Sequence, residues 1–167
     1  MDDIALKQDP LTAEAIEHGD NEEIRQLLRE VCYITKMGFA AVARVTAERW
    51  IACQLEDHIG FGLRPGGELK VQETICDEIR QCGRAVIIDN VDADPEWSRH
   101  PVPKQYGFQS YVSIPIMLAD GSFYGTLCAI DPEPRVLSAP TVVEVMEAFA
   151  TRVGAIISKH VPRRKAV

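Results

Sequence analysis

Long apolar runs are missing from this chain; none approaches the ~18 residues that a membrane-spanning helix requires. Positive charge is scarce as well. Eighteen Lys and Arg stand against 25 Asp and Glu, for a formal net charge of −7. The chain therefore lacks the cationic surface that displaces counterions from nucleic acid. Its one basic run, Arg163-Arg164-Lys165, lies in the last residues and reads as a solvated tail. None of the five cysteines (Cys32, Cys53, Cys76, Cys82, Cys128) belongs to a C-x-x-C pair, their number is odd, and the first residues show no secretory pattern. A disulfide framework is thus not expected, and a reducing cytoplasm is. Phosphate-binding glycine loops, dinucleotide fingerprints, paired carboxylates and nucleophile–His–acid arrangements are absent at the spacings their chemistry needs.

What is present is a patterned chain of 167 residues, enough for one domain with a real core. Residues 1–19 read as a loose lead-in with at most a short helix. Asp20 and Glu23 have the form of a capping box, and Ile24, Leu27, Leu28, Val31 and Ile34 then recur at helical spacing until Gly38. Residues 39–46 and 49–56 predict a strand pair turning at Ala47-Glu48, and the glycine-rich stretch 57–68 a long loop. Residues 70–82 predict a helix with Val71, Ile75, Ile79 and Cys82 on one stripe and Cys76 off it. A short buried strand (85–91) follows, then turns and single helical turns across the three prolines of 92–108. Residues 110–131 predict two strands joined by a polar turn. The longest helix (141–160) carries Val142, Val145, Met146, Phe149, Val153, Ile156 and Ile157 at 3.6-residue spacing. Hairpin strands with segregated helices define an α+β fold.

Strand 110–117 poses the functional question. Val112, Ile114 and Ile116 belong against an apolar layer, yet they alternate with Tyr111, Ser113 and Pro115, which suit neither a plain solvent face nor a plain core. The pattern Ser110-Tyr111-Val112-Ser113-Ile114-Pro115-Ile116, Asp120-Gly121 and Gly125-Thr126-Leu127-Cys128-Ala129-Ile130-Asp131-Pro132 resembles the GAF domain, especially the type in front of bacterial sensor histidine kinases. Thr74 to Arg80 and His100 to Phe108 are similar to the same subgroup. The resemblance covers about residues 20–160, leaving 1–19 as the lead-in and 161–167 as a basic tail. It implies a GAF/PAS-like antiparallel sheet of about six strands, with the N- and C-terminal helices on one face and a ligand pocket on the other. Val112, Ile114 and Ile116 would then face the helices, and Tyr111, Ser113 and Pro115 would floor the pocket. On the neighbouring strand, Leu127 and Ala129 are expected toward the pocket and Thr126, Cys128 and Ile130 toward the helices.

Candidate ligand-binding residues on this reading are Cys76, Trp97, His100, Tyr106, Phe108, Tyr111 and Ser113. Cys76 is either a buried inert thiol or a pocket-lining, redox-active one. The aromatics are core filler or a stacking surface for a planar ligand. Two enzymatic or chromophore-bearing branches of the family fit poorly. Free methionine-(R)-sulfoxide reductases have catalytic cysteines, one near Cys76, but the positions of the others fall near Gly66 and Lys104. Covalent bilin attachment needs a Cys near Ser98-Arg99, where there is none. A metal held by Cys53, Cys76, His100 and Cys128 has no supporting spacing. The resemblance thus implies a cytoplasmic, non-catalytic sensory or regulatory domain of two-component signalling that binds a small molecule. It implies a homodimer through the terminal helices, with Met146, Ala150 and Ala155 as a seam, and a histidine kinase or other output domain as partner, but no nucleic acid and no membrane. The alternatives are a sulfoxide reductase-like redox enzyme or a dimerisation module with an empty pocket. The cofactor, if any, is not named by the sequence.

Overall fold

The structure, a computed structural model, describes residues 9–70 and 75–161. Val71, the first eight residues and the basic run 163–165 lie outside the described residues. Helices α1 (Pro10–Gly19) and α2 (Glu22–Thr35) lead into strands β1 (Phe39–Val45), β2 (Trp50–Asp57) and the short β3 (Glu68–Leu69). Helix α3 (Ile75–Cys82), strand β4 (Val86–Ile88), two 3-10 turns (Val91–Ala93, Trp97–Arg99) and α4 (Pro101–Tyr106) follow. Strands β5 (Ser110–Met117) and β6 (Phe123–Asp131) and the long α5 (Pro140–Ser158) complete the chain. The fold is α+β. Its sheet has six antiparallel strands in the order β3-β2-β1-β6-β5-β4.

Helices α1, α2 and α5 cover one face. Ile24, Leu28, Val31, Met146, Val153 and Ile157 pack there on Val42, Ile51, Val112, Ile114, Ile116 and Leu127. The lead-in is therefore not loose over 10–19. Asp9 caps α1 through the Thr12 N–H, Ala15 is buried, and Arg49, just before β2, binds the Asp9 carboxylate through both terminal nitrogens (2.7 and 2.9 Å). The cap of α2 is Asn21, which accepts from the Ile24 N–H, because Asp20 already ends α1 and pairs with Arg25. The helix stops at Lys36 in the left-handed region (φ 61°), not at Gly38. Gly38 instead opens β1 where a Cβ would lie 2.2 Å from Ile59 Cγ2. Ile34 turns outward, its place on the inner face being taken by Val31 and Thr35. Met146 and Ala150 are buried on the sheet and so are not free to form a seam between copies; Ala155 is exposed.

The β5–β6 hairpin corrects one sequence expectation outright. Leu127 and Ala129 face the helices, and Thr126, Cys128 and Ile130 face away. A tight turn closes at Met117↔Phe123, and regular pairing from there would place Val112 opposite Cys128. A bulge at Tyr124 intervenes, so that Ile116 pairs with Gly125, Ile114 with Leu127 and Val112 with Ala129. Directly opposed residues share a face, and one inserted residue reverses the assignment of everything beyond it. Tyr124 itself turns to the helix side, where its hydroxyl meets His18 Nδ1 at 2.7 Å and Cys53 Sγ at 3.4 Å.

Candidate functional site

The other face of the sheet has a second apolar layer. Phe39, Ala41 and Ala43 of β1, Trp50 and Ala52 of β2, Tyr111 of β5 and Cys128 and Ile130 of β6 form its floor. Ile75, Cys76 and Ile79 of α3, Trp97, Val102 and Phe108 form its roof. The small side chains of Ala41, Ala43 and Ala52 keep the floor low beneath bulky aromatics. Between floor and roof lies an inner cavity of about 40 Å³, walled by Trp50, Cys76, Tyr111 and Cys128 at one end and Phe61 and Tyr106 at the other. A groove of about 520 Å³ lies beyond it, along the 58–63 loop and the end of α4. Phe61, Leu69, Tyr106, Phe108 and Ile130 border both spaces. The rings of Phe61 and Tyr106 stand 6.1 Å apart and those of Phe39 and Phe61 4.8 Å, so the partition is aromatic.

The groove's loop is held from below by Asp57, whose carboxylate accepts from the N–H groups of Ile59, Phe61 and Gly62 at 2.9–3.1 Å. Partial burial pushes this carboxyl upward, but the backbone donors outweigh it and leave it more acidic than an ordinary Asp.

Inside the cavity the polar groups converge on one sulfur. Cys76 Sγ has Thr126 Oγ1 at 3.2 Å, Tyr111 Oη at 3.4 Å and Ser113 Oγ at 3.8 Å. The electrostatic influence of the two cavity thiols on each other is the strongest on both, lowering the pKa of Cys76 and raising that of Cys128. Burial opposes the ionisation of Cys76, whereas the Thr126 and Tyr111 hydroxyls favour its thiolate. Trp50 is only 2% exposed, and its Nε1–H has no partner within hydrogen-bond distance among the described residues. An unsatisfied buried donor is rare and costs about 1–3 kcal/mol.

Of the residues expected from the sequence, Cys76, Tyr106, Phe108 and Tyr111 line the cavity together. Ser113 lies beneath them, against Cys76. Trp97, His100 and Pro115 are not part of the lining. Trp97 is buried in the roof with its ring 4.9 Å from that of His100. His100 caps α4 by accepting the Val102 N–H at 3.2 Å, and its Nε2 is 3.6 Å from Glu78. Cys76 points inward with Ile75 and Ile79, whereas Cys82, expected on their stripe, is exposed. Cys53 lies on the helix face, so Cys53, Cys76, His100 and Cys128 are not gathered, and no group of three or more potential metal ligands occurs among the described residues. Sequence reading missed Trp50, Phe61, Thr126 and Cys128. The alternation Trp50-Ile51-Ala52-Cys53 carried a usable signal for the first.

The family model for the GAF domain matches residues 21–157. This chain belongs to the GAF domain family. Among curated proteins it is similar to the diguanylate cyclase DgcP of Escherichia coli, 30% identical over 142 residues. That match takes in 82% of this chain but only 40% of the cyclase. Among solved structures, the GAF domain region of a Geobacter sulfurreducens protein superposes with a TM-score of 0.67 at 15% identity, covering 92% of this chain and all of that one. The blue-light absorbing form of the Thermosynechococcus elongatus PixJ GAF domain gives 0.65 at 10% identity, covering 89% of each chain. A type II free methionine-R-sulfoxide reductase from Thermoplasma acidophilum gives 0.63 at 10% identity, covering 89% of this chain and 96% of that one. At these identities the structures share the fold. No helix among the described residues of this GAF domain is long and apolar enough to cross a membrane.

Proposed function

We propose that this GAF domain is a cytoplasmic sensory or regulatory module that binds a small molecule on the sheet face away from its terminal helices. It has no catalytic turnover of its own and passes its bound state to an output domain. The observation that carries this reading is the nested site, in which a 520 Å³ groove shares its aromatic wall with an inner cavity holding an unpartnered Trp50 donor. Pockets for small molecules usually span roughly 300–1,000 Å³ and combine apolar walls with a few placed polar groups. The groove has that size, while the inner cavity admits only a few atoms. A ligand with an apolar or planar body would lie along Phe61, Tyr106 and Phe108 and direct an acceptor inward. The matched segment is less than half of the E. coli cyclase, which supports a GAF domain joined to an output unit; a histidine kinase is the other output class that the sequence implies. Transmission through α2 and α5 in a homodimer fits their shared position on the opposite face, where Tyr33 is 85% exposed.

Native mass spectrometry of the protein purified from its source cells tests this. The expected result is one small molecule bound per chain, released on denaturation and lost with Tyr106→Ala. An empty wild-type domain under gentle desolvation, with a dimer mass alone, would favour the dimerisation module.

A further inference from the structure

We propose that Cys76 and Cys128 are a dithiol switch, closed to a disulfide by a hydroperoxide small enough to enter the inner cavity. The proposal does not depend on the identity of the groove ligand. Three observations converge on it. Both thiols are free and almost wholly enclosed (2% and 5% exposed), and they line the same inner cavity, Cys128 standing opposite Ser113 in the β5–β6 ladder and Cys76 Sγ lying 3.8 Å from that Ser113 hydroxyl. The cavity beside them holds about 40 Å³, and one buried water needs roughly 10–15 Å³ on this measure, so about three or four water-sized molecules fit at most. Hydrogen peroxide meets that limit and a drug-sized ligand does not. Finally, the Trp50 Nε1–H is an unused donor on the same wall, and the hydroxyls of Thr126 and Tyr111 stand 3.2 and 3.4 Å from the Cys76 sulfur. They can donate to a thiolate and then to the oxygen leaving a peroxide.

The chemistry balances without any other group. The Cys76 thiolate, favoured by these donors over that of Cys128, attacks one peroxide oxygen and breaks the O–O bond. The departing oxygen takes a proton and leaves as water (or as an alcohol from an organic hydroperoxide), and Cys76 becomes a sulfenic acid. The Cys128 sulfur then attacks Cys76, the S–O bond breaks, and the hydroxyl leaves with the Cys128 proton as a second water. Two thiols lose two electrons and one peroxide gains them. A dithiol reductant restores the pair by exchange. The disulfide fastens α3 to β6 and so pins the roof to the floor at the inner end of the site. Cys32, Cys53 and Cys82 have no comparable partner: Cys32 is made less acidic by burial, Cys53 bonds Tyr124 on the other face, and Cys82 is exposed.

The test treats the reduced, full-length protein with a small molar excess of hydrogen peroxide, blocks remaining thiols by alkylation and maps the peptides. The expected product is a Cys76–Cys128 cross-link, reversed by dithiothreitol and formed before oxidation of the exposed Cys82. Cys128→Ser should leave Cys76 as a sulfenic acid that dimedone traps, and Cys76→Ser should yield neither product. Far-ultraviolet circular dichroism confirms that the variants fold, while the wild-type map decides the matter without them. Oxidation beginning at Cys82, or cross-links that pair Cys76 with another cysteine, would overturn the proposal. So would an unchanged wild-type map.

Discussion

Gly125→Ala is a severe change for so small a side chain. Gly125 follows the bulge at Tyr124 and lies opposite both Ile116 of β5 and Arg44 of β1. A Cβ there would fall 1.8 Å from the Ala43 carbonyl oxygen and 2.8 Å from its carbon. Both are backbone atoms of a central strand, so no flexible tip can swing aside. Relief requires β1 and β6 to part by about 1 Å or more, which weakens one or two ladder hydrogen bonds worth about 1 kcal/mol each and adds strain of about 1–3 kcal/mol. The expected loss is about 2–4 kcal/mol. With a urea slope of about 2 kcal/mol/M, the unfolding midpoint falls by roughly 1–2 M. Gly121→Ala is the control. It sits at φ +85° with nothing within 4 Å of a Cβ, so it bears only the left-handed penalty of about 1–2 kcal/mol. Gly125→Ala as mild as Gly121→Ala would refute the close approach of Gly125 to β1, the bulge-set register that produces it, and with them the placement of Cys128.

Other substitutions probe the two faces separately. Leu127→Ala should cost about 2–5 kcal/mol in chemical denaturation, because Leu127 is wholly buried beneath the terminal helices. Arg49→Ala should speed hydrogen exchange across 10–19, since Arg49 ties Asp9 and Glu68 together at the start of β2. His18 gives a pH dependence. Burial lowers its pKa below 6.5, aided by His160 and Arg44 and opposed by Glu14 and Glu17. The unfolded chain therefore binds the proton more readily, so stability is full above about pH 6.5 and declines as the pH falls through the folded-state value. His18→Gln should flatten that slope between neutrality and about pH 5, a window above the one in which the paired carboxylates titrate.

Much of the fold was legible because periodicity reports burial directly. Val112, Ile114 and Ile116 mark the helix face through strict alternation, and Leu27, Leu28 and Val31 mark the inner stripe of α2. The faces of β6 were not legible in the same way. Alternation fixes which residues share a face, but the bulge at Tyr124 decides which face it is, and a bulge leaves no pattern of its own. The site was half legible for a similar reason. Tyr111 and Ser113 followed from β5, and Tyr106 and Phe108 from the family pattern. His100 and Trp97 lie in the same Pro-rich stretch yet serve it locally, as a helix cap and a roof contact. Trp50 and Cys128 come from strands far apart in sequence, and only the pairing of β1 with both β2 and β6 brings them to one cavity.

Isoleucine methyl groups report the location of binding most directly, because they divide between the faces. Ile75, Ile79, Ile88 and Ile130 lie on the cavity side, and Ile24, Ile51, Ile114, Ile116, Ile156 and Ile157 on the helix side. Methyl-labelled protein, assigned through single Ile→Val variants, would be titrated with a small-molecule extract of its source cells and followed by NMR. Binding at the proposed site shifts Ile75 and Ile130 first and most, with later, smaller changes at Ile114 and Ile116 as the sheet adjusts. Shifts that begin on the helix face and leave Ile75 and Ile130 unmoved would contradict a ligand site on the cavity side.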